Sequence, residues 1–156
     1  LLAFSRLIKS DYYLELNDWP AARELLLQNT LPEFKKIGDI WGIASSHQLL
    51  GKIGLRENDF AAAKFHLTKA FELFQHSYDK FGQATTAMEL SRLYWELGQA
   101  AAATESLERC LRQAAQMDTN QLLMKGLRET AHRDCERQSY ESALKNLAMA
   151  GYYAEK

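Results

Sequence analysis

Proline is nearly absent from this chain of 156 residues: there are two, Pro20 and Pro32, both near the N-terminus. Beyond Pro32 no proline stands in the way of a helix. Cysteine is as scarce. Cys110 and Cys135 share no metal-like spacing with each other or with a histidine, which excludes a Cys/His zinc module, and two thiols do not make a secreted disulfide scaffold. Reduced thiols suit a cytoplasmic protein. Excess charge of one sign is also missing. Nineteen Lys plus Arg against twenty Asp plus Glu leave a net −1, which disfavours strong nucleic-acid binding over the whole surface; a local basic stripe is still compatible with that balance, but no direct nucleic-acid contact is expected. No apolar run approaches the roughly 18–20 residues of a membrane-crossing helix, and no leader pattern opens the chain. The alternation of β-branched residues that marks strands is absent. So are a Ser–His–Asp elbow, a P-loop and a Gly-rich dinucleotide turn. Acidic residues stand singly along the chain, with no arguable carboxylate pair. The sequence thus predicts no catalytic residue, no cofactor and no metal site.

What remains is rich in Ala, Leu, Glu, Lys, Gln and Arg, which lose little entropy in a helix, and it repeats about every 40 residues. Phe60, Ala100 and Tyr140 form one column; Ala63, Ala103 and Ala143 the next; then Leu67, Leu107 and Leu147; then Ala70, Cys110 and Ala150. Trp19, Ala22 and Leu26 form a further copy, one residue out of step. Such a chain is a stack of units, none able to bury its apolar face alone. Cys110, in an alanine column, reads as a small core residue.

The joints repeat as well. Asp39-Ile40-Trp41-Gly42 returns as Asp79-Lys80-Phe81-Gly82. Asp18, Asp39 and Asp79 suit helix N-caps, Pro20 suits a first turn, Trp41 and Phe81 can pack over the joints, and the glycines allow close helix approach. Asp118 marks a third joint, where Leu122 and Met124 replace Gly and Ala. The expected fold is all-α: a right-handed α-solenoid of about four helical hairpins, 2–37, 38–77, 78–117 and 118–156, forming one repeat domain over 1–156. The chain begins Leu1-Leu2 with no initiator methionine, and a fragment of a larger protein is expected.

These columns resemble the tetratricopeptide repeat. Its small first-helix position matches Gly51, Ser91 and Ala131, preceded by Leu50, Leu90 and Thr130; its second-helix set matches Ala63/Leu67/Ala70, Ala103/Leu107/Cys110 and Ala143/Leu147/Ala150. The aromatic that usually follows is kept at Tyr94 but is Gly54 and Asp134 elsewhere, and the unit is about six residues longer than the usual ~34. Longer units of this kind look like those of kinesin light chains and of bacterial peptide-sensing regulators. The resemblance implies a scaffold that binds proteins or peptides through a concave groove lined by the first helices. The alternative it implies is a ligand- or peptide-sensing domain of a bacterial transcriptional regulator, with the DNA-binding part outside this chain.

The groove is then sought one turn around the small first-helix position. Lys52, Arg92 and His132 follow it; Gln48, Met88 and Arg128 precede it by three; Leu55, Trp95 and Cys135 lie three beyond Lys52, Arg92 and His132. Residues three or four apart share a helical face. The expected partner is a protein or peptide segment with carboxylates, gripped by the cations and anchored on Trp95. Glu89, Glu96, Glu129 and Glu136 lie close enough to neutralise these cations instead. His47, His66 and His76 read as polar surface or packing residues. The last helix carries Leu147, Met149, Ala150, Tyr152 and Tyr153, and Leu1, Leu2 and Phe4 open the chain; a stack needs its ends covered, so further helices or self-association through the terminal helix are expected.

Overall fold

A computed structural model describes residues 1–154, and helix is the only regular structure among them. The elements are α1 (Leu2–Glu15), α2 (Trp19–Leu25), α3 (Leu31–Ile37), α4 (Ile40–Arg56), α5 (Phe60–His76), α6 (Lys80–Glu96), α7 (Ala100–Gln116), α8 (Asn120–Glu136) and α9 (Tyr140–Ala154). A π-helical turn, Leu26–Thr30, joins α2 to α3. Helix α4 pairs with α5, α6 with α7 and α8 with α9, and each pair packs on the next, giving the expected solenoid of hairpins. The expected end of the fourth hairpin, 155–156, lies outside the described residues. No helix among the described residues is long and apolar enough to cross a membrane.

Every joint turns on one residue with left-handed backbone: Asn17, Gly38, Asn58, Tyr78, Gly98, Asp118 and Gln138, with φ between 50° and 71°. The amide after Gly38 donates back to Phe34 O at 3.1 Å, closing the helix end that a left-handed residue permits. The next helix is then capped. Asp18, Asp39, Asp59 and Asp79 each accept from the backbone N–H three residues on, at 3.2, 2.9, 3.0 and 2.9 Å. The third long joint differs from its two predecessors: Asp118 takes the left-handed turn at φ 50°, and Thr119 precedes α8 without a side-chain cap bond.

The repeated columns are the core. Ala63, Ala103 and Ala143 are buried, as are Ala70, Cys110 and Ala150. Burial, with the nearby Glu89 carboxylate, pushes the Cys110 thiol up to about 12, so it stays protonated and inert. Leu147 departs from its column: it is 47% exposed where Leu67 is 0% and Leu107 4%, because no described helix lies on that side of α9. Of the joint aromatics, Trp41 stacks on Phe4 at 5.9 Å, and both Trp41 and Phe81 stay exposed.

Close approach explains the glycines at the joints. A Cβ on Gly42 would sit 2.2 Å from the Phe34 ring, and one on Gly82 2.3 Å from the Phe74 ring. One hairpin further on, the bulk changes sides: Ala114 takes the place of phenylalanine and Leu122 that of glycine, both buried in one cluster. The large residue moves from one helix to the other and the space stays filled.

The π turn accounts for the copy that is out of step. Leu26 and Phe34 are eight residues apart, whereas their counterparts Leu67 and Phe74 are seven apart. The extra residue widens one turn, and Thr30, buried there, donates its hydroxyl five residues back to Leu25 O at 3.0 Å. Both Leu26 and Phe34 thereby stay in the core, each fully buried.

Candidate functional site: a guanidinium network on the first helices

The first helices α4, α6 and α8 carry the polar ladder. On α4, Gln48 donates through Nε2 to Thr85 Oγ1 and Thr86 Oγ1, both at 2.9 Å, and so ties α4 to α6. Lys52 is half-buried and makes no ion pair among the described residues. Leu55 is half-buried and packs into the cluster of Ala63, Leu67, Leu90 and Leu93. Met88 does not line a surface: it is 6% exposed and lies in the core with Ala84, Ala87 and Leu107.

Arg92 is the centre. Its Nη1 donates to Glu89 at 3.2 and 3.3 Å and its Nε to Glu129 Oε2 at 3.2 Å. Burial works against its charge, but the two carboxylates outweigh that and hold its pKa above the ordinary arginine value. Glu129 reaches with its other oxygen to Arg133 Nη2 at 3.1 Å. Arg133 Nη1 donates to Ser91 Oγ at 2.6 Å, and Ser91 in turn donates to Ala103 O at 2.7 Å. The chain of contacts thus joins α6, α8 and the backbone of α7.

Arg133 is buried, and its Nε has no hydrogen-bond partner; desolvation lowers its pKa, with Glu129 opposing. Its guanidinium lies 5.1 Å from the centre of the Trp95 ring, and that of Arg137 lies 5.0 Å from it, both within cation–π range. Arg92 and Arg133 thus share the carboxylates of Glu89 and Glu129, while Arg137 has no carboxylate partner among the described residues, and the balance among these groups is cationic. Beside them Arg128 is exposed and makes no ion pair among the described residues. His132, also exposed, lies 3.4 Å from Glu136, and Cys135 is exposed.

Sequence spacing brings Lys52, Arg92, Trp95, Arg128 and His132 onto these helices, and anticipates the compensation by Glu89 and Glu129. It misses Arg133 and Arg137. The signal for Arg133 was there: it stands in the column of Ile53 and Leu93, both fully buried, and an arginine in an apolar column must find partners.

Spacing also misses a histidine pair. His47 on α4 and His66 on α5 approach with Nδ1···Nδ1 at 2.9 Å, so one ring donates and the other accepts. Desolvation, then His66 and the cations Lys35 and Lys69, lowers His47 to about 4; burial, then Arg23 against Asp59, lowers His66 too. Both are neutral at pH 7. The unfolded chain takes the proton first as pH falls, so this contribution is complete above pH 6.5 and is lost between about 6.5 and 4, at up to about 1.4 kcal/mol per pH unit for one proton. Urea midpoints at pH 7 and pH 5 should therefore differ more for the native chain than for His47→Ala, which borrows the residue at Ala87. Equal pH dependence in both would refute the pairing.

The ladder lies on an open helical face. Two shallow clefts lie elsewhere: one of about 660 Å³ along Gln138–Lys145, and one of about 420 Å³ between α5, α6 and α7. An open face with fixed charges and a flat indole suits an extended or helical chain better than an enclosed small molecule. Residues 44–77 and 84–117, spanning most of α4 with α5 and then of α6 with α7, match the family model of the tetratricopeptide repeat. No curated protein matches the chain.

Proposed function

We propose, from the match of residues 44–77 and 84–117 to the tetratricopeptide repeat, a family whose members serve generally as scaffolds for protein–protein interaction, that this chain binds a carboxylate-bearing protein or peptide segment along the face of α4, α6 and α8. The supporting observation is the cationic balance around Trp95. Arg92 and Arg133 are held in place by Glu89, Glu129 and Ser91, so little side-chain entropy remains to be lost on binding. Lys52 and Arg128 flank this fixed centre with free ammonium and guanidinium donors. A segment's carboxylates would meet these two, and an apolar side chain would cover the exposed part of the Trp95 ring. Gln48 and His132 bound the strip at either side. Leu55 and Met88 support it from beneath.

The network decides which variants are informative. Arg92→Ala would strand Glu89, whose side chain is 9% exposed, and would damage the fold as well as the site. Lys52→Ala and Arg128→Ala remove cations that the fold does not use. Peptides selected on this protein from a random library should be enriched in Asp and Glu and should bind more tightly at low salt. Lys52→Ala, Arg128→Ala and Trp95→Ala should each weaken them about ten- to a hundredfold, the worth of one charge-assisted contact or anchor, with helical content unchanged. Selected peptides without acidic enrichment, or full binding by all three variants, would refute the site.

A further inference from the structure

One joint is built less stably than its neighbour shows it could be. Tyr78 takes the left-handed turn between α5 and α6 at φ 56°, where a bulky side chain crowds its own backbone and glycine does not. Gly38 serves the equivalent joint before α4 at φ 71°. The backbone bonds are the same in both. The amides of Gly38 and Tyr78 donate to Lys35 O at 3.3 Å and Gln75 O at 3.2 Å, and the amides that follow donate to Phe34 O at 3.1 Å and Phe74 O at 3.0 Å. The tyrosine side chain adds nothing to that geometry. It is 84% exposed and makes no hydrogen bond or ring contact among the described residues.

Helices α4 and α6 lie side by side, tied by Gln48 to Thr85 and Thr86, so the joints around Gly38 and Tyr78 open on one edge of the stack. That edge is apolar. Ile37 is 62%, Ile40 40%, Trp41 45% and Phe81 53% exposed. These residues and Tyr78 stand at joints inside the stack, where a further hairpin added at either end would not cover them. The charges among them are sorted by sign. Lys35, Lys36 and Lys80 are exposed and make no ion pair among the described residues. Asp39 and Asp79 are turned back to the amides of Gly42 and Gly82, each at 2.9 Å. Glu33 and Glu72 are taken up by Arg6 and Lys69. The third joint carries Asp118 and Gln121 and no aromatic, so the patch ends there.

We propose that this edge docks the protein on an anionic membrane surface, with Trp41, Tyr78 and Phe81 seated at headgroup depth and Lys35, Lys36 and Lys80 against the anionic headgroups. Trp and Tyr pair an apolar body with a polar tip, which suits that boundary, and each lysine near such a surface strengthens binding about fivefold. Side chains this exposed stand out from the joints instead of lining a groove. A deformable lipid surface accepts them without the shape complementarity that a protein partner must supply. The proposal does not rest on the peptide strip, whose cations Lys52 and Arg92 lie toward the opposite ends of α4 and α6.

The test is co-sedimentation with vesicles, of mixed phosphatidylglycerol and phosphatidylcholine or of phosphatidylcholine alone, alongside urea denaturation of each variant. Native chain should bind the anionic vesicles, leave them at high salt, and bind the neutral ones at least about tenfold more weakly. Tyr78→Gly separates the surface from the fold. Its urea midpoint should rise, because glycine relieves the left-handed turn, while its binding to anionic vesicles should fall about tenfold. Phe81→Ser and Lys80→Glu, both at exposed positions, should each weaken binding at least about fivefold with helical content unchanged. Equal binding to both kinds of vesicle, full binding by Tyr78→Gly, or a lowered midpoint for that variant would each overturn the proposal. So would a native chain that binds neither kind; with a raised midpoint for Tyr78→Gly, that result would assign the edge to a protein partner instead.

Discussion

Glutamate in place of Ala103 should cost on the order of 3–5 kcal/mol, a large fraction of the stability of an ordinary domain. Ala103 is fully buried in α7, and its carbonyl accepts from Ser91 at 2.7 Å and from Arg133 at 3.4 Å. A further methylene and a carboxylate, four heavy atoms in all, must displace α6 and lose their water together. Ala101, two residues earlier and exposed, supplies the control: Ala101→Glu should shift the denaturation midpoint by no more than about 0.5 kcal/mol equivalent. If the two variants unfold alike in a urea titration, the alanine column is not the close-packed seam described above.

The exchange of bulk at the joints yields the second large effect. Phe74→Ala should lose about 3–5 kcal/mol, as for deletion of a buried ring. Gly82→Leu should also be strongly destabilising, since even its Cβ would sit 2.3 Å from that ring. Together they recreate the pair Ala114 and Leu122, which this chain already packs. The double variant should therefore be more stable than the sum of the single losses predicts, by at least about 2 kcal/mol. A strictly additive cycle in chemical denaturation would show that the 40-residue register does not govern who meets whom across the joint.

Much of the fold was written in local spacing. Small residues 40 apart mark where helices must touch, and Asp39 and Asp79 mark where helices begin; both are consequences of backbone geometry within a few residues. The site was less legible. Met88 looked like a groove residue because it lies one turn from Arg92, but four residues advance about 400° around a helix, and the resulting ~40° offset carries it from the outer face into the core against α7. Arg92 and Glu129 are 37 residues apart and His47 and His66 19 apart. Contacts of that range depend on how far side chains reach between helices, which no column records. Leu147 behaves as the end residue it was also expected to be: its column is buried at Leu67 and Leu107, where a described helix packs against it.

The π turn at Leu26–Thr30 shows what an isolated change of length does to such a chain. One added residue turns everything after it by about 100° around the helix axis, enough to aim Phe34 away from Gly42. Here the slack is taken up within five residues, before the next contact has to be made. The first hairpin thus works like a mechanical coupling with one loose thread: an insertion near it is cancelled locally, and the phase of α4 through α9 is left untouched. The same insertion between Leu67 and Phe74, where the helix is regular throughout, has no such relief and would shift every later face.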